Sequence, residues 1–139
     1  MSSTGRGRQA PLAMDAEHFR ALGHALVDQI AALLSSVPDR PVTPNEAPSA
    51  VREALGLNGG LPETGTDAAI LLPQTAKGLF DHSLFNAHPR FFGYITSPPA
   101  PIGILGDFLA SALNPNVGAW SLSPAATEIE CKPYGGLPS

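Results

Sequence analysis

The sequence predicts a mainly α fold, with helices joined by long proline-rich connections. Three observations carry this. Apolar residues recur at three- and four-residue steps in several segments, the period of one helix face. No alternating apolar–polar run is long enough to suggest a sheet. Fifteen prolines and fourteen glycines, about a fifth of the 139 residues, punctuate the chain between the periodic segments. That share lies above a globular average of roughly 12% and below the roughly 25–30% of disordered low-complexity sequence.

The elements follow in order. Residues 1–14 read as a disordered leader. The spacing predicts a helix over 15–37, where Phe19, Leu22, Leu26, Ile30, Leu33 and Val37 form one apolar stripe. Asp15 caps it and Pro38 ends it. Glu17, Arg20, His24 and Asp28 occupy the opposite face. Residues 38–47, with three prolines, are an extended connection. A short helix follows from Ser49 as cap to Leu55, with Gly56 as stop. Residues 56–66 are a loop.

The next helical segment lies within Asp67 to Leu84, with Leu71, Leu72, Ala76, Leu79, Phe80 and Leu84 as its apolar face. Pro73 sets its expected start, because proline inside a helix removes a hydrogen bond. Residues 88–101, "HPRFFGYITSPPAP", hold too many prolines for regular structure. Residues 102–113 predict a helix with Leu105, Phe108, Leu109, Ala112 and Leu113 on one face, ended by Asn114-Pro115. Gly103 and Gly106 leave room for a close neighbour. A last helix begins at Ser123-Pro124 and is stopped by Lys132-Pro133 and Gly135-Gly136.

Composition excludes several classes. The net charge is −4, and the eight Lys and Arg residues are scattered, so no basic stripe invites nucleic acid or an acidic membrane surface. The N-terminus carries no apolar secretory stretch, and no run of about 18 apolar residues would span a membrane. The single Cys131 cannot form an internal disulfide, which fits a reducing compartment, and the expected location is cytoplasmic.

Candidate chemistry is sparse. His18 and His24 are six residues apart, as are His82 and His88, whereas a helical metal pair needs a spacing of four. Solvated or capping roles are the better reading for these histidines. Glu128 and Glu130 project to different helix faces, which argues against paired acid–base work. No Gly-x-Ser-x-Gly elbow exists. Cys131 lacks a nucleophile's context. Gly135-Gly136 lacks the strand and helix of a phosphate loop. "HPRFFGYITSPP" is more informative. It is either a connection buried between helices or a loop lining an apolar pocket, and the pattern does not choose.

The stretch "HPRFFGYITSPPAPIGILGDFLASALNPNVGAWSLSPAATEIE", His88 to Glu130, resembles the N-terminal part of the group II pyridoxal-phosphate-dependent amino-acid decarboxylases. The upstream "HALVDQIAALL" and "RPVTP" follow in the family's order. The resemblance covers about residues 17–130. It implies the N-terminal helical segment of a fold-type I enzyme, with the large α/β domain missing. It divides the chain into a leader 1–14, a helical segment 15–130 and a divergent tail 131–139. In the family, a lysine holds pyridoxal phosphate as an aldimine, and the cofactor accepts the electrons left when carbon dioxide departs.

By resemblance, Tyr94, Ile95 and Ser97 line the substrate pocket. Ile95 stands where aromatic-specific relatives have phenylalanine, which leaves the amino-acid substrate open. The connector around Val117, Gly118 and Trp120 approaches the partner subunit's pocket in relatives, although a buried or interfacial anchor remains the commoner role for a tryptophan. The family's lysine follows a histidine. Here the two lysines are Lys77 in "TAKGLF" and Lys132 in "ECKPYG", so neither matches. The expectations are a truncated segment, no cofactor bound by this chain alone, no catalytic residue within it, and no activity. The relatives imply a homodimer through the N-terminal helices. The alternative is a stand-alone helical module that dimerises or binds a partner without catalysis. Either way, apolar surface should be exposed and the isolated chain sticky or partly molten.

Overall fold

The computed structural model describes residues 12–132. Most of the expected leader and tail, with the stop signals Pro133, Gly135 and Gly136, lies outside the described residues. Every regular element among the described residues is helical. They fall into two units divided between Thr96 and Ser97. The segment expected at 15–130 spans both.

In the first unit, α1 runs from Ala16 to Ser36. The Asp15 carboxylate accepts from the His18 N–H at 2.7 Å, as an N-cap should. Along the stripe, Leu22, Leu26, Ile30 and Leu33 are half-buried and Val37 is buried, while Phe19 is exposed. Glu17, Arg20, His24 and Asp28 all face water. Pro38 converts the end into a 3-10 turn, Val37–Asp39.

Helix α2 is Pro48–Ala54. Its cap is Ala47 rather than the expected Ser49, because Pro48 takes the first helical position with its preset φ. At the other end, Gly56 adopts φ 66°, with Gly56 N–H bonded to Glu53 O at 3.0 Å and Leu57 N–H to Arg52 O at 2.8 Å. That pair is a Schellman ending, and its left-handed residue favours glycine.

Helix α3 is Ala68–Asp81. It starts five residues before the expected Pro73. The Asp67 carboxylate accepts from the Ala69 N–H at 2.7 Å and nucleates the helix there. Pro73 is carried inside at the loss of one ladder bond. Helix α3 ends before Leu84, and it packs against α1. Leu55, just after α2, lies over α3: a methyl placed on Gly78 would sit 2.5 Å from Leu55 Cδ2.

Helices α1 and α3 share a feature at their C-terminal ends. Neither has a basic residue in its last turn. Arg40 supplies one to both. Its Nε–H donates to Ser36 Oγ at 2.8 Å, and Ser36 Oγ donates to Leu33 O at 2.9 Å. Its Nη1 donates to Phe80 O at 3.1 Å and faces Asp81 Oδ1 at 3.6 Å. The guanidinium also lies 5.6 Å from the centroid of the Phe85 ring. One guanidinium thus meets the Phe80 carbonyl of α3 directly and the negative dipole end of α1 through the Ser36 hydroxyl. The connection 40–47 is fixed alongside: Phe85 N–H bonds to Val42 O at 2.9 Å, and His82 Nδ1 lies 2.7 Å from Glu46 Oε2.

In the second unit, α4 is Pro101–Leu113 and ends at Asn114, which takes the left-handed conformation with φ 45°. The room at Gly103 and Gly106 is not taken up: a Cβ on Gly106 would meet nothing within 4 Å, and one on Gly103 only Ala100 Cβ at 3.9 Å. Helix α5 is Pro124–Cys131. Ser123 stands at the cap position, but its hydroxyl caps nothing. Its carbonyl instead accepts from Thr127 N–H at 3.0 Å and Thr127 Oγ1 at 2.8 Å.

Burial is thin. Among the described residues, Val37 and Ala76 are the buried hydrophobics. The face of α4 expected to be apolar is exposed throughout, with Leu105, Phe108, Leu109 and Leu113 between 51% and 73% accessible. Such a display of large apolar side chains marks a surface suited to cover by other protein.

The Arg40 joint carries a pH dependence through Asp81. The hydrogen bond from Lys77, then the charges of Lys77 and Arg40, hold the Asp81 carboxyl below its ordinary value of 3.8, against an opposing push from burial. A depressed carboxylate stabilises the fold above its unfolded pKa, and that contribution is lost as pH falls through the folded value. The stability advantage of the native chain over Asp81→Asn should therefore hold steady from neutral pH to about 5 and shrink below about 4. Urea unfolding followed by circular dichroism at stepped pH reads this difference directly.

Candidate functional site

The first unit ends in the aromatic loop, which is built on His88. That side chain is 3% exposed, so it is not a solvated histidine. Its local capping role is real. His88 N–H donates to Phe85 O at 3.0 Å, His88 O accepts from Phe91 N–H at 2.9 Å, and Nδ1 accepts from Arg90 N–H at 3.0 Å. Accepting at Nδ1 places the ring proton on Nε2, and that buried atom has no hydrogen-bond partner. The two bonds that close onto Phe85 and Phe91 make consecutive tight turns, and the chain leaves them extended.

The aromatic residues then separate. Phe91 is half-buried and its ring folds over Gly93, where a Cβ would come within 3.2 Å of Phe91 Cε2. Phe92, Tyr94 and Ile95 face outward, at 92%, 84% and 106% accessibility. Burial between helices thus describes His88 and part of Phe91, and no more of the loop. Tyr94 has φ 59°, and its ring lies 6.1 Å from that of Phe91. A bulky residue in the left-handed region is unusual, and its strain must be held by its surroundings.

Ser97, Val117, Gly118 and Trp120 belong to the second unit. Ser97 is exposed and opens it. The connector after α4 begins with a local turn in which Asn116 Oδ1 accepts from Gly118 N–H at 2.9 Å. A 3-10 turn, Trp120–Leu122, follows and packs against α5. Trp120 is 58% accessible, and its indole Nε1–H donates to Glu128 Oε1 at 2.7 Å. Val117, Gly118 and Trp120 are therefore brought into one short displayed segment. Tyr94 and Ile95 form another, in the first unit.

Two supporting residues escaped sequence reasoning. Arg40 braces the loop through Phe85, across a separation that no local pattern encodes. Glu128 holds Trp120. An indole N–H needs an acceptor, but with the helical path broken at Ser123 no regular spacing marks Glu128, eight residues onward, as the one.

The Lys77 ammonium pairs with Asp81 one turn along α3. Lys132 is exposed at the end of α5. Among the described residues, no group of three or more His, Cys, Asp or Glu side chains could hold a metal ion, and no helix is long and apolar enough to cross a membrane.

Comparison with known proteins gives a consistent set of relatives. No protein-family model matches the chain. The chain is 34% identical over 131 residues to a tyrosine decarboxylase of Oryza sativa subsp. japonica, covering 93% of this chain and 24% of that protein. It is 30% identical over 128 residues to an aromatic-L-amino-acid decarboxylase of Bacillus atrophaeus, covering 92% of this chain and 26% of that one. Its fold superposes on an Oryza sativa TDC solved with PLP and tryptamine, with a TM-score of 0.73, 30% identity, and coverage of 88% of this chain and 24% of that one. The glutamate decarboxylase domain of a Vibrio parahaemolyticus protein shares the fold at 17% identity, with a TM-score of 0.71. The chain spans about a quarter of the length of these relatives. In sequence and in fold it corresponds to the N-terminal helical segment of the group II pyridoxal-phosphate-dependent amino-acid decarboxylases.

Proposed function

We propose that this chain serves as the N-terminal segment of a pyridoxal-phosphate-dependent carboxy-lyase that releases carbon dioxide from an amino acid, and that it is catalytically silent by itself. The observation that carries the first half is the backbone shared, at 30% identity, with a TDC solved with PLP and tryptamine. The silence is supported by the lysines. An amine must be neutral to attack the cofactor's carbonyl. Lys77 is instead ion-paired with Asp81, and Lys132 stands exposed at a helix end. Neither fits the cofactor, so no step through it is assigned to this chain.

Within the whole enzyme, Tyr94, Ile95 and Ser97 would line the substrate pocket. Val117, Gly118 and Trp120 would reach a pocket completed by a second subunit. Their outward placement supports this reading, as does the left-handed backbone of Tyr94, a form of strain that collects at functional positions. Ile95 argues for a pocket not restricted to aromatic amino acids. The enzyme would be a cytoplasmic homodimer joined through its N-terminal helices. The exposed apolar face of α4 favours a second reading as well, a helical module that dimerises without catalysis.

Two measurements test these readings. The purified chain, mixed with pyridoxal phosphate and tyrosine, tryptophan, histidine or glutamate, should release no carbon dioxide, and borohydride should attach the cofactor to no single lysine. Amine-dependent release with attachment at Lys77 would contradict catalytic silence. Separately, Tyr94→Asn should stabilise the first unit by about 1 kcal/mol, since asparagine tolerates the left-handed region that costs other residues roughly 1–2 kcal/mol. Urea midpoints of the two chains measure it.

A further inference from the structure

We propose that Glu128 is a positioning residue. Its carboxylate fixes the Trp120 indole and thereby makes the placement of the connector 114–120 conditional on the folding of α5. This rests on the reading of Trp120 as a lining residue given above.

The geometry is specific. Trp120 Nε1–H and Glu128 Oε1 are 2.7 Å apart, a short contact for a neutral donor on a charged acceptor. The indole is donor-only, so it can be held from one side alone. Other polar side chains on α5 point elsewhere. The Thr127 hydroxyl is turned back onto Ser123 O, to which it donates at 2.8 Å, and Glu130 lies two residues on, which a helix turns to the far side. Glu128 stands in the second turn of α5, so its carboxylate reaches the indole only while residues 124–128 are helical.

Helix α5 has eight residues, too short to persist in water on its own. Its start is held by Pro124 and by the doubly accepting Ser123 carbonyl, because the Ser123 hydroxyl makes no cap. The Trp120–Glu128 bond adds a tie across the helix start. Formation of α5 and fixation of Trp120 are therefore one event. Rigid display of a large aromatic at low entropic cost is what a pocket wall requires. Glu128 would supply that rigidity without touching substrate.

The chain contains one tryptophan, so a nitrogen-15-labelled sample gives one indole N–H resonance. In the native chain this signal should lie downfield of free tryptophan. In Glu128→Ala it should move toward the free position, and its proton exchange should speed about fivefold, the equivalent of about 1 kcal/mol. Glu128→Gln keeps a carbonyl acceptor and should restore most of the shift, whereas a merely structural role would give no such rescue. Should Glu128→Ala lose α5 altogether, a double-mutant cycle with Trp120→Phe separates the causes. Non-additive stabilities support the tie and additive ones overturn it. An indole signal unmoved in Glu128→Ala, or no rescue by Glu128→Gln, also overturns the proposal. None of these readouts involves catalysis, so the tie can stand or fall independently of the decarboxylase reading.

Discussion

The first unit depends on one guanidinium. Helices α1 and α3 pack against each other and end without a basic residue of their own. Each end leaves carbonyls unpaired and a partial negative charge. Arg40 answers both, through Ser36 on one side and Phe80 O with Asp81 on the other. Its planar fork does this in a way that a lysine's single ammonium would not. The aromatic loop inherits the arrangement, since Phe85 lies under Arg40 and His88 closes on Phe85. The strained, exposed Tyr94 is thus carried on a frame held by polar contacts as much as by apolar burial.

That reliance follows from the thin core. With Val37 and Ala76 the buried hydrophobics among the described residues, hydrophobic burial does less here than in an ordinary domain of this size. The relatives are about four times as long and share this segment's backbone. A segment shaped as part of a larger fold would place its helices correctly while leaving faces such as that of α4 exposed.

Much of the fold was legible in the sequence, and the misreadings have physical causes. Helix α1 was fully written, because Asp15, a continuous stripe and Pro38 all agree. The end of α4 at Asn114 was also visible, though not its left-handed backbone. Helix α3 starts before Pro73, because the Asp67 cap and the apolar run after it outweigh one missing ladder bond. At α2, a proline at the first helical position displaced the serine expected to cap. At α5 the serine was in place, yet its carbonyl did the work.

The site was legible only in part. Tyr94, Ile95, Ser97, Val117, Gly118 and Trp120 are expected by resemblance to line a pocket; the structure places each at the surface, and the lining role belongs to the proposal above. The reach of Arg40 was not legible, because it joins segments some forty residues apart, and no local pattern marks His88 as buried. The central claim, that Arg40 serves both helix ends at once, is tested most directly by amide hydrogen exchange in Arg40→Met. That substitution keeps an apolar stem and removes every donor. Protection should fall together in the last turns of α1 and α3, with their middles less affected. Loss at one helix end alone, or at neither, would contradict the account.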